Sequence, residues 1–342
     1  MKQKRACKFA CLVVGLAMAS SMLVGGAVPV KAQAVNGPYD AFTDFSSTNN
    51  PTPSAANPIW SYGYTATLGG AFHVYQCHLF DVNVHGTAWR ISGCAVEPNI
   101  SKNESGRDIE FVGEGILYPG TDYLHLHPGA GGEYSVLRWT APAADRYVVE
   151  VIYKGLRMFD QTTTDVHVLH NNVSVFDAEL VASWSDPGLT YKHPIQMAAG
   201  DTLDFAVGPD GDYVADSTGV KVTITLAPIP ASVKIHPSSF VPGSHAVIHV
   251  TLLGTRQLDV STIDTATVRF GRTGFEATPI SFSVHDVNHD GKADLSFNFH
   301  IKDTGIKCFD TLAKLTGKNK TGKAVEGSIS ITTLGCERCP SP

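Results

Sequence analysis

One segment near the end of the chain has the residue types and spacing needed to bind a hard metal cation. Oxygen-bearing side chains stand at positions 1, 3, 5 and 9 of this segment, and a glycine stands at position 6, where the loop must turn sharply. The lysine at position 7 can offer its carbonyl oxygen. Because calcium takes six to eight oxygen ligands, the spacing predicts a calcium-binding loop. Its predicted ligands are Asp286, Asn288, Asp290, Lys292 and Asp294.

The same segment departs from a complete calcium loop at position 12. Phe297 stands where an EF-hand has a bidentate glutamate, so one or two ligands must come from water or from Asp259, Asp264 or Asp303. An acidic hairpin turn is the alternative, since Asn, Asp and Gly favour turns without any metal. The segment lies between two predicted strands, which favours a stabilising role over a catalytic one.

Aromatic residues could bind sugars, because a ring face stacks on the C–H face of a pyranose. Trp60 and Tyr62 alternate along one predicted strand, where they could equally fill a core. Trp89 and Trp184 lie in turn-rich segments, and the Ser-Asp-Pro-Gly that follows Trp184 is typical of a loop. We take these four residues as candidate ligand contacts, with Trp184 first.

Two further groups could hold a metal. His125 and His127 form an H-x-H pattern that points both imidazoles to one side of a strand, but no third ligand follows at a fixed spacing. Asp210, Asp212 and Asp216 form a second acidic loop that could bind another calcium, although a hairpin turn explains the same residues.

Five of the seven cysteines follow the N-terminal apolar segment. Cys77 and Cys94 are close enough in sequence to close one disulfide loop, and Cys308 could pair with Cys336 or Cys339. The tail holds a single C-x-x-C, which is too little for a zinc site and lacks the βαβ pattern of a redox site.

The mature chain is predicted to be all-β. Apolar and polar residues alternate with period two, turn residues separate the alternating runs, and no long helical period is present. We expect two antiparallel β-sandwiches, a jelly-roll-like one over 59–227 and an immunoglobulin-like one over 232–336, separated at Pro228 and Pro230. Residues 35–58 are predicted to form an irregular leader, and residues 337–342 are predicted to form a tail.

The N-terminus has the pattern of a secretory signal peptide. Residues 2–8 are basic, 9–30 are almost wholly apolar or small, and small residues precede a cleavage point after Ala34. We therefore expect an exported protein, extracellular or periplasmic, with residues 1–34 removed and no membrane association afterwards.

Composition narrows the function classes further. Of 26 basic residues, five lie in the first 34, so the rest of the chain carries 21 basic against 32 acidic residues. This balance argues against nucleic acid and anionic membranes as partners. The chain has no G-x-S-x-G, H-E-x-x-H or P-loop, so no catalytic residue is predicted.

Both halves resemble known kinds of exported module. The loop at 286–294 resembles dockerin calcium loops, and 232–336 resembles a repeated module of secreted bacterial and archaeal proteins, which implies a non-catalytic accessory role. The segments that carry this likeness are Val250-Thr-Leu-Leu-Gly254, Leu258-Asp-Val-Ser-Thr262, Thr267-Val-Arg-Phe-Gly271, Asp303-Thr-Gly305 and Leu315-Thr-Gly317.

Residues 44–227 resemble a β-sandwich of exported bacterial proteins that is similar to jelly-roll carbohydrate-binding modules. This likeness implies the fold and, more weakly, binding. It is carried by Trp60-Ser-Tyr-Gly-Tyr64, Leu68-Gly-Gly-Ala71, Leu126-His-Pro-Gly129, Glu133-Tyr-Ser-Val136 and Thr163-Thr-Asp-Val-His167.

The leading hypothesis is therefore a secreted, non-catalytic, calcium-binding protein that binds extracellular glycan or cell-surface material. A structural or surface-layer protein without a small ligand is the alternative, and a glycan-active hydrolase or lyase on a jelly-roll scaffold is the third possibility.

Overall fold

The computed structural model describes residues 38–51 and 59–336. The predicted signal peptide, part of the predicted leader, and Cys339 lie outside the described residues. Within them, no helix has the length and apolar character needed to cross a membrane. The regular secondary structure of the described residues consists of β-strands and two short 3-10 helices, Val260–Thr262 and Ile301–Asp303. The prediction of an all-β protein built from antiparallel sandwiches is confirmed.

The first sandwich contains sixteen strands. They are β1 (Tyr39–Asp40), β2 (Ile59–Thr65), β3 (His73–Val74), β4 (Cys77–Asp81), β5 (Gly86–Arg90), β6 (Asn99–Ser101), β7 (Ile109–Phe111), β8 (Ile116–Tyr118), β9 (Leu124–His127), β10 (Tyr134–Thr140), β11 (Asp145–Gly155), β12 (Thr162–His170), β13 (Val173–Ala182), β14 (Leu189–Met197), β15 (Thr202–Gly208) and β16 (Thr218–Leu226).

Two antiparallel sheets of these strands enclose one core. The larger has the order β14-β11-β16-β9-β6-β5-β4, with β1 also paired to β16, and the other has the order β13-β12-β15-β10-β2-β3. Alternate residues of both sheets point inward, because a strand turns successive side chains to opposite faces. The core between them includes Trp139, Phe205 and Val149.

Residues 38–51 belong to this sandwich, which corrects the expectation of an irregular leader for that part of the chain. Tyr39, Ala41 and Phe45 are buried in its core, and the Asn50 side chain hydrogen-bonds the backbone of Tyr62 and Tyr75. Apolar burial and backbone pairing hold this segment in place despite its turn-rich composition.

The second sandwich has its own core. Its strands are β17 (Ile229–Pro230), β18 (Ser232–His236), β19 (Ser239–Phe240), β20 (Val247–Leu253), β21 (Ile263–Gly271), β22 (Ser281–His285), β23 (Asp294–His300), β24 (Leu312–Asn319), β25 (Ala324–Ser330) and β26 (Thr332–Thr333).

Its two four-stranded sheets have the orders β17-β25-β24-β21 and β18-β20-β23-β22. Phe270, Phe297 and Phe299 are fully buried between them. Two short pairs, β17 with β25 and β19 with β26, are parallel, which the sequence did not predict.

Two disulfides form among the residues that the structure describes. Cys77 pairs with Cys94 and Cys308 pairs with Cys336, with Cα–Cα distances of 5.4 and 5.5 Å. The first pairing is confirmed, and the structure selects Cys336 as the partner of Cys308.

Candidate functional site

A cleft lies on the outer face of the larger sheet, and its floor is made of polar side chains. Strand register places Arg90, Asn99 and His127 in one row across β5, β6 and β9. A second row brings Ser101 beside His125. These five residues are less than 10% exposed and line the cleft together.

Alternation along the strands creates this polar floor. Trp89, Ile100, Leu124 and Leu126 occupy the intervening positions and point into the sandwich core. Because successive side chains of a strand face opposite sides, an apolar core on one face leaves the polar residues together on the other.

A second layer covers the polar face and forms the walls of the cleft. The β7–β8 hairpin stands over it, with Phe111, Ile116 and Tyr118 lining the inside. Its β8 end is held by a hydrogen bond from the Leu117 N–H to the Leu156 carbonyl (2.9 Å). The cleft has a volume of about 680 Å³, within the range of roughly 300–1,000 Å³ of small-molecule sites.

Exposed apolar side chains surround the mouth of the cleft. Phe159 is 74% exposed, and three valines on separate loops are each at least 60% exposed. They are Val96, Val112 and Val214. Single exposed apolar residues are ordinary on a protein surface, but several around one cleft indicate a binding site.

Both floor histidines are held neutral. His125 Nδ1 lies 3.0 Å from Ser101 Oγ, and its Nε2 lies 3.3 Å from Ser217 Oγ. Burial lowers the pKa of His125 to about 3 and also lowers the pKa of His127. His127 Nδ1 lies 2.9 Å from the Pro128 carbonyl, so in the neutral ring this nitrogen donates and Nε2 is the acceptor.

The arginines of the cleft are already paired. Arg90 forms an ion pair with Asp81, and Arg157 forms a bidentate pair with Asp160, with both hydrogen bonds at 2.6 Å. The Arg157 hydrogen bond lowers the pKa of Asp160. The charge of each guanidinium is therefore compensated within the protein.

Three of the four aromatic candidates lie in the core, which corrects their assignment as ligand contacts. Trp60, Tyr62 and Trp89 are no more than 4% exposed. The Trp60 indole donates to Asp44 Oδ2 (3.2 Å), and the Trp89 indole donates to the Ser46 carbonyl (2.8 Å). A buried ring cannot stack on a sugar, so these residues stabilise the sandwich.

Trp184 is half-buried and lies outside the lining of the cleft. It packs against the cluster that contains Ile116 and Tyr118, behind the cleft wall. Lys154 Nζ lies 4.5 Å from the ring centroid, and Tyr123 meets the ring edge-on. Trp184 is thus placed to support the wall, and a ligand contact by its ring stays a prediction.

The predicted calcium loop connects β22 to β23. The N–H groups of Asp290 and Gly291 donate to the Asp286 carboxylate at 3.2 and 2.9 Å, and the Asp290 N–H also lies 3.2 Å from Asn288 Oδ1. Gly291 has a φ of 83°, as the sharp turn requires. The backbone conformation of the loop is therefore compatible with calcium binding by the side-chain oxygens of Asp286, Asn288 and Asp290.

Asp294 differs from the other predicted ligands in its burial. It is fully buried, and its carboxylate accepts hydrogen bonds from the N–H groups of Val287 and Gly254, both at 2.8 Å. Among the residues that the structure describes, no three His, Cys, Asp or Glu side chains are grouped to hold a metal ion. Calcium binding by this loop stays a prediction. Its solvent-accessible candidate ligands are Asp286, Asn288, Asp290 and the Lys292 carbonyl, while Asp294 is buried beneath them.

Of the residues in the cleft floor, the sequence pattern indicated only His125 and His127. Arg90, Asn99 and Ser101 were missed because they are separated along the chain and meet only through strand register. One local signal was available: in Leu124–His127, polar residues alternate with leucines that fill the core.

Comparisons with known proteins give distant likenesses only. No family model matches the chain, and no curated protein matches it. Among solved structures, the carbohydrate-binding module CBM51 from Clostridium perfringens GH95, in complex with methyl-galactose, is 16% identical with a TM-score of 0.22. That likeness covers 30% of this chain and 68% of the module.

Two other solved structures are similarly remote. A family 4 carbohydrate-binding module is 12% identical with a TM-score of 0.26, covering 57% of this chain and 97% of the module. The adhesin domain of Epf from Streptococcus pyogenes is 8% identical with a TM-score of 0.32, covering 88% of this chain and 99% of that domain. None of these scores reaches 0.5, so the function is argued from the cleft.

Proposed function

We propose that the cleft of the first sandwich binds a neutral carbohydrate and that the protein is an exported, non-catalytic glycan-binding protein. The observation that carries the proposal is the combination of a polar floor with an apolar mouth in one cleft. Hydroxyl groups of a sugar can pair with floor residues such as Asn99 and His127, while its C–H faces contact Phe159.

The electrostatics of the cleft favour a neutral ligand. Arg90 and Arg157 are paired with carboxylates, so neither is free to bind an anion. A neutral imidazole offers one donor and one acceptor, which matches a hydroxyl group.

We expect Phe159→Ala to weaken glycan binding by about two- to thirteenfold, since an aromatic contact contributes ~0.5–1.5 kcal/mol. Wild-type protein is first applied to an array of extracellular polysaccharides, and the best-bound oligosaccharide is then titrated calorimetrically against both proteins. The ring is 74% exposed, so the melting temperature should not change.

Phe275→Ala is the matched control. Phe275 is also 74% exposed but lies in the second sandwich, away from the cleft. Its replacement should leave binding unchanged. Absence of binding to every polysaccharide, or equal weakening by both variants, would contradict the proposal.

We also propose that the loop between β22 and β23 binds calcium weakly and thereby stabilises the second sandwich. At 2 mM calcium and a Kd of ~10⁻⁴–10⁻³ M, binding contributes about 0.6–1.8 kcal/mol, which raises the melting temperature by a few degrees. The paired replacement Asp286→Asn and Asp290→Asn should remove this rise. Differential scanning calorimetry with calcium and with EDTA measures it.

The tryptophans help to assign the transition. All four, Trp60, Trp89, Trp139 and Trp184, belong to the first sandwich, and 232–336 contains neither Trp nor Tyr. A calorimetric shift without a change in tryptophan fluorescence would locate calcium in the second sandwich. If the double variant responds to calcium as wild type does, the segment is only a turn.

A further inference from the structure

Asp216 is a buried carboxylate without a hydrogen-bond partner. It lies between β15 and β16, its side chain is 0% exposed, and neither oxygen has a partner among the described residues. Buried polar groups are nearly always hydrogen-bonded, because an unpaired one loses its hydration without compensation. This carboxylate therefore calls for a partner that the protein itself does not supply.

The backbone around Asp216 is fixed. Thr218 Oγ1 donates to the Asp216 carbonyl (3.0 Å), while Thr162 Oγ1 and the Leu156 N–H donate to the Ser217 carbonyl at 2.9 and 3.0 Å. These bonds join the segment to neighbouring strands, so its buried position is part of the sandwich and not that of a freely moving loop.

The charged groups near Asp216 disfavour its ionised form further. These groups are all carboxylates, and in order of decreasing effect they are Asp212, Asp165, Asp210 and Glu97. Asp165 is partly compensated by His167, whose Nε2 lies 2.7 Å away. Burial, and then the charge of Asp212, raises the pKa of Asp216 to about 8.

We propose that the loop from Asp210 to Asp216 binds a calcium ion through the carboxylates of Asp216 and Asp212, with Asp210 close by. Every candidate ligand is a carboxylate, and hard oxygen donors are what calcium prefers. A divalent cation would supply both the charge and the partner that the buried carboxylate lacks. No group of three metal-ligating side chains is preformed among the described residues, so backbone carbonyls and water would complete the coordination of the ion.

The Asp212 carboxylate can be reached from solvent. Asp212 is exposed and follows Gly211, which has a φ of 88° in an open turn. The next residue after Asp216 is Ser217, whose Oγ lies 3.3 Å from His125 Nε2 in the cleft floor. The bound ion would therefore also order one edge of the cleft.

The test is thermal unfolding of the full mature chain in 2 mM CaCl₂ and in EDTA, followed by tryptophan fluorescence, which reports on the first sandwich alone. We expect calcium to raise the midpoint temperature of this transition by several degrees in wild type and to have no effect on the midpoint of Asp216→Asn. Calorimetric titration of CaCl₂ into both proteins should show one more site in wild type.

Two further variants make the result decisive. Asp212→Asn alters an exposed position, so it should fold normally and lose at least half of the shift. Asp286→Asn, in the other loop, should keep the full fluorescence shift. If Asp216→Asn shows the wild-type rise, or wild type shows none, the site does not exist. Neither the fluorescence nor the calorimetric readout involves a glycan. The result for this calcium site is therefore independent of the result for glycan binding by the cleft.

Discussion

Arg138→Met should lower the free energy of unfolding of the first sandwich by about 3–5 kcal/mol, because it leaves a buried carboxylate unpaired. Arg138 lies opposite Asp204 on neighbouring strands and forms a bidentate pair with it, at 2.6 and 2.7 Å. Asp204 is 2% exposed, and burial raises its pKa against the opposing effect of Arg138. The guanidinium also lies over the ring of Phe72.

Urea unfolding followed by tryptophan fluorescence measures the change. Lys192→Met is the control, since Lys192 pairs with Glu150 on the exposed side of β14 and β11, and it should cost less than about 1 kcal/mol. Combining Arg138→Met with Asp204→Leu should recover much of the loss, because no charge is then left buried. Equal losses from Arg138→Met and Lys192→Met would show that burial does not govern this pair.

Wild-type protein should lose stability as the pH falls from about 6.5 toward 3, and His125→Gln should reduce this loss. The folded-state pKa of His125 is about 3 against an ordinary value of 6.5, so below 6.5 the unfolded chain takes up a proton that the folded chain does not. The contribution of the neutral His125 to the free energy of unfolding is therefore fully present above pH 6.5. It is lost as the pH falls toward 3, by an amount on the order of a few kcal/mol.

Urea midpoints at pH 7.5 and pH 4.5 give this dependence directly. Glutamine keeps a donor and an acceptor for Ser101 and Ser217 but does not titrate in this range. His193→Gln, at an exposed position of β14, should retain the wild-type dependence. A His125→Gln variant with the wild-type pH dependence would mean that other groups control acid unfolding.

Local patterns in the sequence were sufficient for the fold class and for one disulfide. Period-two alternation in segments such as β10, β11 and β16 reflects one apolar face, and a strand with one apolar face must bury it in a sandwich. Cys77 and Cys94 are only 17 residues apart, so proximity along the chain was a good guide.

The same local patterns could not separate a core ring from a binding ring. Trp60 and Tyr62 alternate as a sugar platform would, but which face of β2 lies inward depends on its pairing with β10. Likewise, the spacing that suggested Asp294 as a metal ligand could not show that the N–H groups of Val287 and Gly254 occupy its carboxylate.

The sequence by itself determined that this is an all-β protein and that residues 35–342 are acidic, because alternation and charge are carried by neighbouring residues. Only the tertiary structure decided where a ligand could bind. Arg90, Asn99 and His127 form one floor because strand register aligns them, and Asp216 is an orphaned carboxylate because distant strands bury it. Burial and register depend on contacts between segments far apart in the chain, which no local pattern records.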